Sequence, residues 1–359
     1  MSAFSDKPSI DQLQACLRDV SSPVGLRMRS TYFLRQAYDE DESSRMTVLD
    51  CLGSSLKNEK HGPLLRHEFA YVLGQLRDDN ACDDLEEVLC NTRDNSMVRH
   101  EAAEALGAIG APRSLEPLRT CSLESCAEVA ETCSIALAHM EWKLRSGAAS
   151  EEPTVCACMA SPYSSVDPAP PHPSHVNLTV VELASRLLDA SLPLFERYRC
   201  MFSLRNIGGG ESVTALGNAL TSDESSALLR HELAYVLGQM QHGAALEALS
   251  DILRRKNEHC MVRHEAAEAL GAIEGRFEET RLLLEEFAKD EDEVVRQSCE
   301  VALDSVEYFS GNDRSLSDDC KTPLGGFAAQ KAATLQHFNT KEEEEKKDRI
   351  VKAGDVLGH

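Results

Sequence analysis

The sequence predicts an all-α protein, a helical-repeat solenoid of two four-repeat arms related by pseudo-twofold symmetry. Three observations predict this fold. Two pairs of segments recur almost unchanged along the 359 residues, apolar residues inside them lie at helical spacing, and aromatic residues make up only 5% of the chain. Alanine and leucine occupy most apolar positions, which favours closely packed helices over sheets.

The internal repeats set the period. LLRHEFAYVLGQ (64–75) and LLRHELAYVLGQ (228–239) differ at one position in twelve, and MVRHEAAEALGAI occurs at both 97–109 and 261–273. The two segments of each half are 33 residues apart, and the halves are offset by 164 residues. A fixed period of this length, with one helix in every unit, is typical of a helical solenoid.

The helical character is clearest in VRHEAAEALGAIG (98–110). Its apolar residues form one stripe at helical spacing, namely Val98, Ala102, Ala105, Leu106 and Ile109. Gly107 and Gly110 follow near the end of the stripe, where we expect the helix to stop and the chain to reverse.

Extending the period along the chain predicts eight units. They cover 24–52, 57–84, 90–112 and 121–142 in the first half, and 194–213, 221–250, 254–275 and 287–309 in the second. The outer units of each half resemble each other only weakly. Terminal units of a solenoid are expected to differ in this way, because one of their faces is not covered by a neighbour.

These units define four regions. Residues 1–145 are the predicted N-terminal arm and 178–311 the C-terminal arm. Between them, 146–177 holds six of the thirteen prolines and is predicted to be a flexible linker that lets the arms face each other. Residues 312–359 include the charged run KEEEEKKDR and are predicted to form an acidic, disordered tail.

The amino-acid composition and net charge restrict the partners and the cellular location that we expect. The net charge of −23 opposes binding to nucleic acid and suits a cationic partner. No apolar stretch approaches the ~20 residues that span a membrane, and the first residues lack the apolar segment of a signal peptide. Thirteen scattered cysteines indicate reduced thiols, so we expect a cytoplasmic protein that acts as a monomer.

Four His-Glu dipeptides occupy matched positions in the repeats. Of twelve histidines only these four precede a glutamate, in His67-Glu68, His100-Glu101, His231-Glu232 and His264-Glu265. Residues one unit apart occupy the same place on adjacent units, about 10 Å from each other. Imidazole and carboxylate groups are common metal ligands, so the pattern predicts one metal ion in each arm.

The ligand types restrict which metal can bind but do not decide which glutamate binds it. Two histidines and one carboxylate without cysteine fit iron, manganese or zinc, and the open coordination positions are typical of non-haem Fe(II) sites. Adjacent helical residues point about 100° apart, so Glu104, four residues after His100, is an alternative to Glu101. Glu268 is likewise an alternative to Glu265. Adjacent residues would converge if each pair opened a helix, in an irregular first turn.

An arginine precedes each of the four dipeptides. We expect these arginines to be structural, each paired with a carboxylate of a neighbouring unit rather than with a substrate. They are Arg66, Arg99, Arg230 and Arg263.

The four motifs, in this order, resemble those of the deoxyhypusine hydroxylase family, HEAT-repeat di-iron monooxygenases. The resemblance covers about 25–310. It implies one Fe²⁺ held by His67, His100 and Glu101 and a second held by His231, His264 and Glu265. It also implies that Glu68 and Glu232 hold the amines of the substrate. The proline-rich linker and the acidic tail are departures from the family pattern, and neither touches the motifs.

The implied reaction converts deoxyhypusine on eukaryotic translation initiation factor 5A to hypusine, with O2 as co-substrate and an external reductant. Two other functions fit parts of the pattern. A non-enzymatic HEAT-repeat scaffold would bind no metal. A di-metal hydrolase with the same ligands would need neither oxygen nor a reductant.

Overall fold

The computed structural model describes residues 8–147, 161–273 and 275–309. In these ranges the chain forms sixteen α-helices and no strand, as the sequence predicts. The helices are α1 Ile10–Arg18, α2 Val24–Glu40, α3 Arg45–Leu56, α4 Gly62–Leu76, α5 Cys82–Cys90, α6 Ser96–Ile109, α7 Leu115–Cys121, α8 Ala127–Gly147, α9 Val180–Leu188, α10 Leu194–Ile207, α11 Gly209–Ser222, α12 Ala227–Met240, α13 Leu246–Arg254, α14 Cys260–Ala272, α15 Phe277–Phe287 and α16 Glu293–Phe309.

Consecutive helices pack in pairs, from α1 with α2 to α15 with α16, so the described residues hold eight helical hairpins. The predicted number of units is right, but their predicted limits are wrong. The predicted unit 57–84, for example, cuts between α3 and α4, which belong to one hairpin. Periodicity sets the length of a repeat but not its starting point, which depends on which helix packs against which.

Two helices at the start of the arms lie outside the predicted units. Helices α1 and α9 each begin with a capping box, formed by Ser9 with Gln12 and by Thr179 with Glu182. In this motif the two side chains satisfy backbone N–H groups that the first helical turn leaves open. The sequence pattern Ser/Thr-x-x-Gln/Glu was therefore a usable signal for both helices.

The even-numbered helices form a ring. Each one packs against the next from α2 to α16, with α8 meeting α10 at one junction and α16 meeting α2 at the other. Helix α8 also touches α12, and α16 also touches α4. The odd-numbered helices lie on the other side of each hairpin. The inner helices of both halves therefore face one central region.

A ladder of four arginines, three of them buried and Arg230 half-buried, links neighbouring hairpins within each arm. Arg66 donates from Nε to the Leu56 carbonyl at 2.6 Å and from its two terminal nitrogens to Asp94 at 2.7 and 2.6 Å. Equivalent pairs are Arg99–Glu124, Arg230–Glu258 and Arg263–Asp290. Bidentate, charge-assisted hydrogen bonds of this kind fix both distance and orientation. The predicted structural role of these arginines is confirmed.

Glycine makes close helix packing possible inside the ring. Gly107 lies within α6, and a Cβ atom there would lie 2.7 Å from Cβ of Ala136 on α8. Gly271 of α14 has the same relation to Ala302, at 2.8 Å. Gly107 lies near the end of α6, as predicted, but it is still part of the helix. Gly110 does end α6, with a left-handed φ of 75°.

The described part of the proposed linker, residues 161–177, is packed rather than flexible. Arg205 of α10 is buried, and it binds Asp167 through two hydrogen bonds of 2.8 and 2.5 Å. A buried guanidinium requires a carboxylate partner, and the linker supplies it. Ala169, two residues further along the chain, is also fully buried. Residues 148–160 and the predicted disordered tail, 312–359, lie outside the described residues.

No helix in the described parts of the chain combines the length and the apolar character needed to cross a membrane.

The close contact at Gly107 yields a stability prediction. Gly107→Ala should lower the free energy of unfolding by about 1–3 kcal/mol, because the new methyl group forces α6 and α8 apart. The control is Gly210→Ala, at an exposed helical position where the nearest atom, on His242, is 3.7 Å from a Cβ. It should leave stability unchanged or slightly raised. Denaturant titration measures both; equal stability of the two variants would contradict the packing argument.

The arginine ladder yields a pH prediction. Burial opposes ionisation of Asp94, but the hydrogen bonds from Arg66 and from the Asn95 N–H, together with the charges of Arg66 and Arg99, outweigh it and hold the Asp94 pKa below its usual value. The ion pair therefore stabilises the fold above the unfolded-state pKa and loses this effect as pH falls towards the folded-state pKa. Asp94→Asn should cost about 1.5–3 kcal/mol at pH 7.

The difference between Asp94→Asn and the unsubstituted chain should shrink as pH falls below about 4, in chemical denaturation across a pH series. Asp50→Asn, at an exposed aspartate, is the matched control and should show no such trend. A pH-independent difference for Asp94→Asn would contradict the role of the ion pair.

Candidate metal centre

The four histidines of the His-Glu motifs meet at the centre of the ring. They lie on α4, α6, α12 and α14, and each is at most 4% exposed. The ring of His67 lies 5.3 Å from that of His100, 5.8 Å from that of His231 and 5.3 Å from that of His264, centroid to centroid. His231 and His264 are also 5.3 Å apart. The two predicted half-sites therefore share one buried space.

The histidines lie inside regular helices. His67 is the sixth residue of α4, and the other three are each the fifth residue of their helix. The expectation that each pair opens a helix is therefore wrong. The glutamate of the second His-Glu motif in each arm, Glu101 or Glu265, reaches the site from its own helix by pointing towards the histidine of the neighbouring inner helix.

Both arms contain this contact between a glutamate and the histidine of the neighbouring helix. Oε2 of Glu101 on α6 lies 3.1 Å from Nε2 of His67 on α4. In the second arm, Oε2 of Glu265 lies 3.6 Å from Nε2 of His231. His67, His100 and Glu101 together offer ligand atoms within 4.8 Å of one another, close enough to hold one ion. The 100° angle between the directions of His100 and Glu101 therefore does not prevent them from belonging to the same ligand group.

The second arm brings together a slightly different set. His264, Glu265 and Glu268 form one ligand group, and Oε1 of Glu268 lies 3.7 Å from Nδ1 of His264. Glu268 is 5% exposed, whereas Glu104, its counterpart in the first arm, is half-buried and belongs to none of the ligand groups found in the described residues. The remaining group, His67, His231 and His264, spans both arms.

His100 tests whether these residues fit a metal ion. The side chain is fully buried, and neither ring nitrogen has a hydrogen-bond partner among the described residues. Burial, followed by the neighbouring His67 and His264, lowers the pKa of His100 well below its usual value. The imidazole is therefore neutral at physiological pH, with a lone pair ready for a cation, as metal binding requires. A metal ion satisfies this otherwise costly group.

The first glutamates of the motifs, Glu68 and Glu232, are buried beside the histidines. The Tyr32 hydroxyl donates a hydrogen bond to Glu68. Oε1 of Glu232 has no hydrogen-bond partner among the described residues. Burial and the nearby carboxylates, Glu104 first, raise the Glu232 pKa well above its usual value. A cation placed beside Glu232 would restore its ionised form.

Sequence reasoning missed the contact between Tyr32 and Glu68. Tyr32 lies on α2, in an outer unit whose repeat signal is weak, and no spacing rule connects it to Glu68.

Comparison with known proteins agrees with this geometry. The family model for HEAT repeats matches residues 59–138 and 197–304. The deoxyhypusine hydroxylase of Danio rerio is 49% identical over 255 residues, which are 71% of this chain and 80% of that protein. The deoxyhypusine hydroxylase of Homo sapiens is 43% identical over 321 residues, with 86% and 95% covered. The chain belongs to the deoxyhypusine hydroxylase family.

A solved structure of human deoxyhypusine hydroxylase in complex with glycerol has the same fold. It aligns with a TM-score of 0.73 and 44% identity, over 83% of this chain and 96% of that one. The predicted resemblance and the predicted HEAT-repeat, all-α fold are confirmed. Membership of the deoxyhypusine hydroxylase family makes this chain an iron-dependent hydroxylating enzyme, and the alternative of a non-enzymatic scaffold is set aside.

The geometry of His100 yields a prediction on metal content. His100 belongs to one of the three ligand groups, and we expect two ions per chain, so His100→Ala should lower iron content to about half that of the unsubstituted chain. His139→Ala is the control, because His139 is also buried but stacks near Trp142, outside the ligand groups. Elemental analysis of both proteins after anaerobic loading with Fe²⁺ gives the result. Full iron retention in His100→Ala would exclude His100 as a ligand.

Proposed function

We propose that this chain hydroxylates the deoxyhypusine side chain of eukaryotic translation initiation factor 5A to hypusine, using O2 at a centre of two iron ions. The observation that carries the proposal is the meeting of four buried imidazoles with carboxylates from both arms in one space. A structural zinc site would be closed by four ligands, whereas groups of two histidines and one carboxylate leave positions open.

We assign the iron ligands by arm. One Fe²⁺ is held by His67, His100 and Glu101, and the other by His231, His264 and Glu265. Support comes from the crossed contacts of Glu101 and Glu265 with the histidine of the neighbouring helix. When bound, the two ions supply the oxidising power that hydroxylation of an unactivated C–H bond requires and that no side chain provides.

The chain itself binds and orients the substrate. Deoxyhypusine carries cationic amines on a long side chain, and Glu68 and Glu232 offer them buried, charge-assisted hydrogen bonds. Tyr32 fixes one oxygen of Glu68, whereas Oε1 of Glu232 has no partner among the described residues and is available to an amine. Burial of both glutamates excludes water, and the net charge of −23 favours approach of a basic loop.

The balance of the reaction calls for a reductant. One oxygen atom of O2 enters the C–H bond and the other leaves as water, so two electrons come from an external donor. We expect the chain to act as a monomer, because the residues of one chain complete each ligand group. We expect it in the cytoplasm, because its scattered cysteines indicate reduced thiols.

The two arms, 1–145 and 178–311, are in our proposal related by an approximate twofold axis. Matched contacts support this relation, since α8 meets α10 and α12 as α16 meets α2 and α4. Tyr71 and Tyr235, which are repeat counterparts, also touch each other at their hydroxyl groups. A residue that meets its own counterpart is expected at a twofold axis.

The test is conversion of the deoxyhypusine-bearing factor by the iron-loaded protein, followed by mass spectrometry of the modified side chain. We expect a gain of one oxygen atom that requires both O2 and a reductant, with ¹⁸O2 providing the label. A change that needs no oxygen and whose mass corresponds to bond cleavage with addition of water would favour the di-metal hydrolase. Absence of any conversion by iron-loaded protein would contradict the proposal.

The role of Glu232 yields a further prediction. Glu232→Gln should raise the KM for the deoxyhypusine-bearing factor about 10-fold or more, the effect of losing one charge-assisted hydrogen bond. Iron content should stay unchanged. Glu300→Gln, at an exposed glutamate of α16, is the matched control and should leave both quantities unaltered. Loss of iron from Glu232→Gln would make Glu232 a ligand and overturn its assignment to the substrate.

A further inference from the structure

Two more layers of identical side chains follow the histidines along α4 and α12. Each layer is four residues beyond the previous one, so all members of a helix lie on one face. The layers are His67, Tyr71 and Gln75 on α4, and His231, Tyr235 and Gln239 on α12. The proposed reaction uses only the first layer and leaves the tyrosines and glutamines without a role.

The tyrosine layer joins the arms. The hydroxyl oxygens of Tyr71 and Tyr235 are 3.1 Å apart, and both side chains are buried. Burial, followed by the neighbouring Tyr71, raises the Tyr235 pKa well above its usual value, so the hydroxyl keeps its proton at neutral pH. This hydrogen bond therefore connects the two helices that carry His67 and His231, one helical turn from those histidines.

Arg205 fixes the orientation of the Gln239 amide group, and with it the direction of the hydrogen bond from Gln239 to Tyr235. Its Oε1 lies 2.9 Å from a terminal nitrogen of Arg205, and a guanidinium only donates, so Oε1 must face Arg205. The Gln239 amide nitrogen then faces the other way and donates to the Tyr235 hydroxyl at 2.9 Å. The Tyr235 hydroxyl therefore accepts from Gln239 and also shares a hydrogen bond with the Tyr71 hydroxyl, in which either oxygen can be the donor.

The linker holds this arrangement in place. Arg205, which orients Gln239, is itself bound by Asp167. Ser165 accepts a second hydrogen bond from the Gln239 amide at 3.0 Å, and the Val166 N–H donates to Oε1 of Gln75 on α4 at 2.8 Å. The segment 165–167 therefore binds the third layer of both α4 and α12.

We propose that Tyr71, Tyr235 and Gln239 form a hydrogen-bonded clasp, anchored by linker residues 165–167, that sets the separation of the two metal-binding halves. The three are positioning residues, because they act through the histidine-bearing helices. The inference rests on the proposed di-metal function. The segment between the arms is then part of the site's construction rather than a simple tether.

The clasp is tested with Tyr71→Phe and Tyr235→Phe, each loaded with two equivalents of Mn²⁺ in the absence of substrate. Electron paramagnetic resonance distinguishes two exchange-coupled ions, which require a short and fixed separation, from two independent ones. We expect both variants to bind two ions as the unsubstituted chain does, with the exchange-coupled fraction reduced at least threefold. Ser165→Ala removes only a linker hydroxyl and should also reduce the exchange-coupled fraction. It replaces the tyrosine variants as the test if one of them does not fold.

Tyr38→Phe is the matched control. It also removes a buried hydroxyl, one that donates to Asp78 at 2.7 Å, so it should reduce stability without altering the signal. An unchanged coupled fraction in Tyr71→Phe and Tyr235→Phe overturns the clasp and leaves the metal centre intact. Failure of the unsubstituted chain to bind two ions overturns the metal centre and the clasp together.

Discussion

The protein depends on the closure of eight inner helices into one ring. Each arm alone supplies two imidazoles and their carboxylates, and the contacts between the arms, among them α8 with α10 and α16 with α2, bring the two sets into one space. Closure has a cost, because it takes carboxylates and imidazoles out of water. The raised pKa of Glu232 and the lowered pKa of His100, each caused first by burial, are the signs of that cost. Cations bound at the centre would offset it.

Two structural devices hold the ring at this separation. The four arginines of the ladder each tie one hairpin to the next within an arm by hydrogen bonds to aspartate or glutamate, and so keep the repeat spacing constant there. Glycines at Gly107 and Gly271 let adjacent inner helices approach closely. Because residues one repeat apart face the same way, a constant spacing makes the second-motif glutamate cross to the histidine of the preceding inner helix in both arms.

The sequence predicted what repetition encodes. Helical periodicity and the offset of 164 residues led to the solenoid, to the four histidines as one set and to the arginine ladder. The limits of the hairpins were not predictable from period alone, since they depend on tertiary packing. Tyr32 escaped notice because its contact with Glu68 joins a weak outer unit to a strong inner one. The Tyr71–Tyr235 pair did have a signal, four residues after His67 and His231. No signal in the sequence predicted that residues 161–177 are packed, because proline-rich composition does not reveal that Asp167 neutralises a buried arginine.

The most direct test of this account is anomalous X-ray diffraction at the iron absorption edge from crystals of the iron-loaded protein. The account predicts two iron peaks inside the ring of inner helices, about 3.5–4 Å apart, each next to the imidazoles of one arm. A single peak, or iron bound outside the ring, would contradict the claim that the two arms build one di-metal centre.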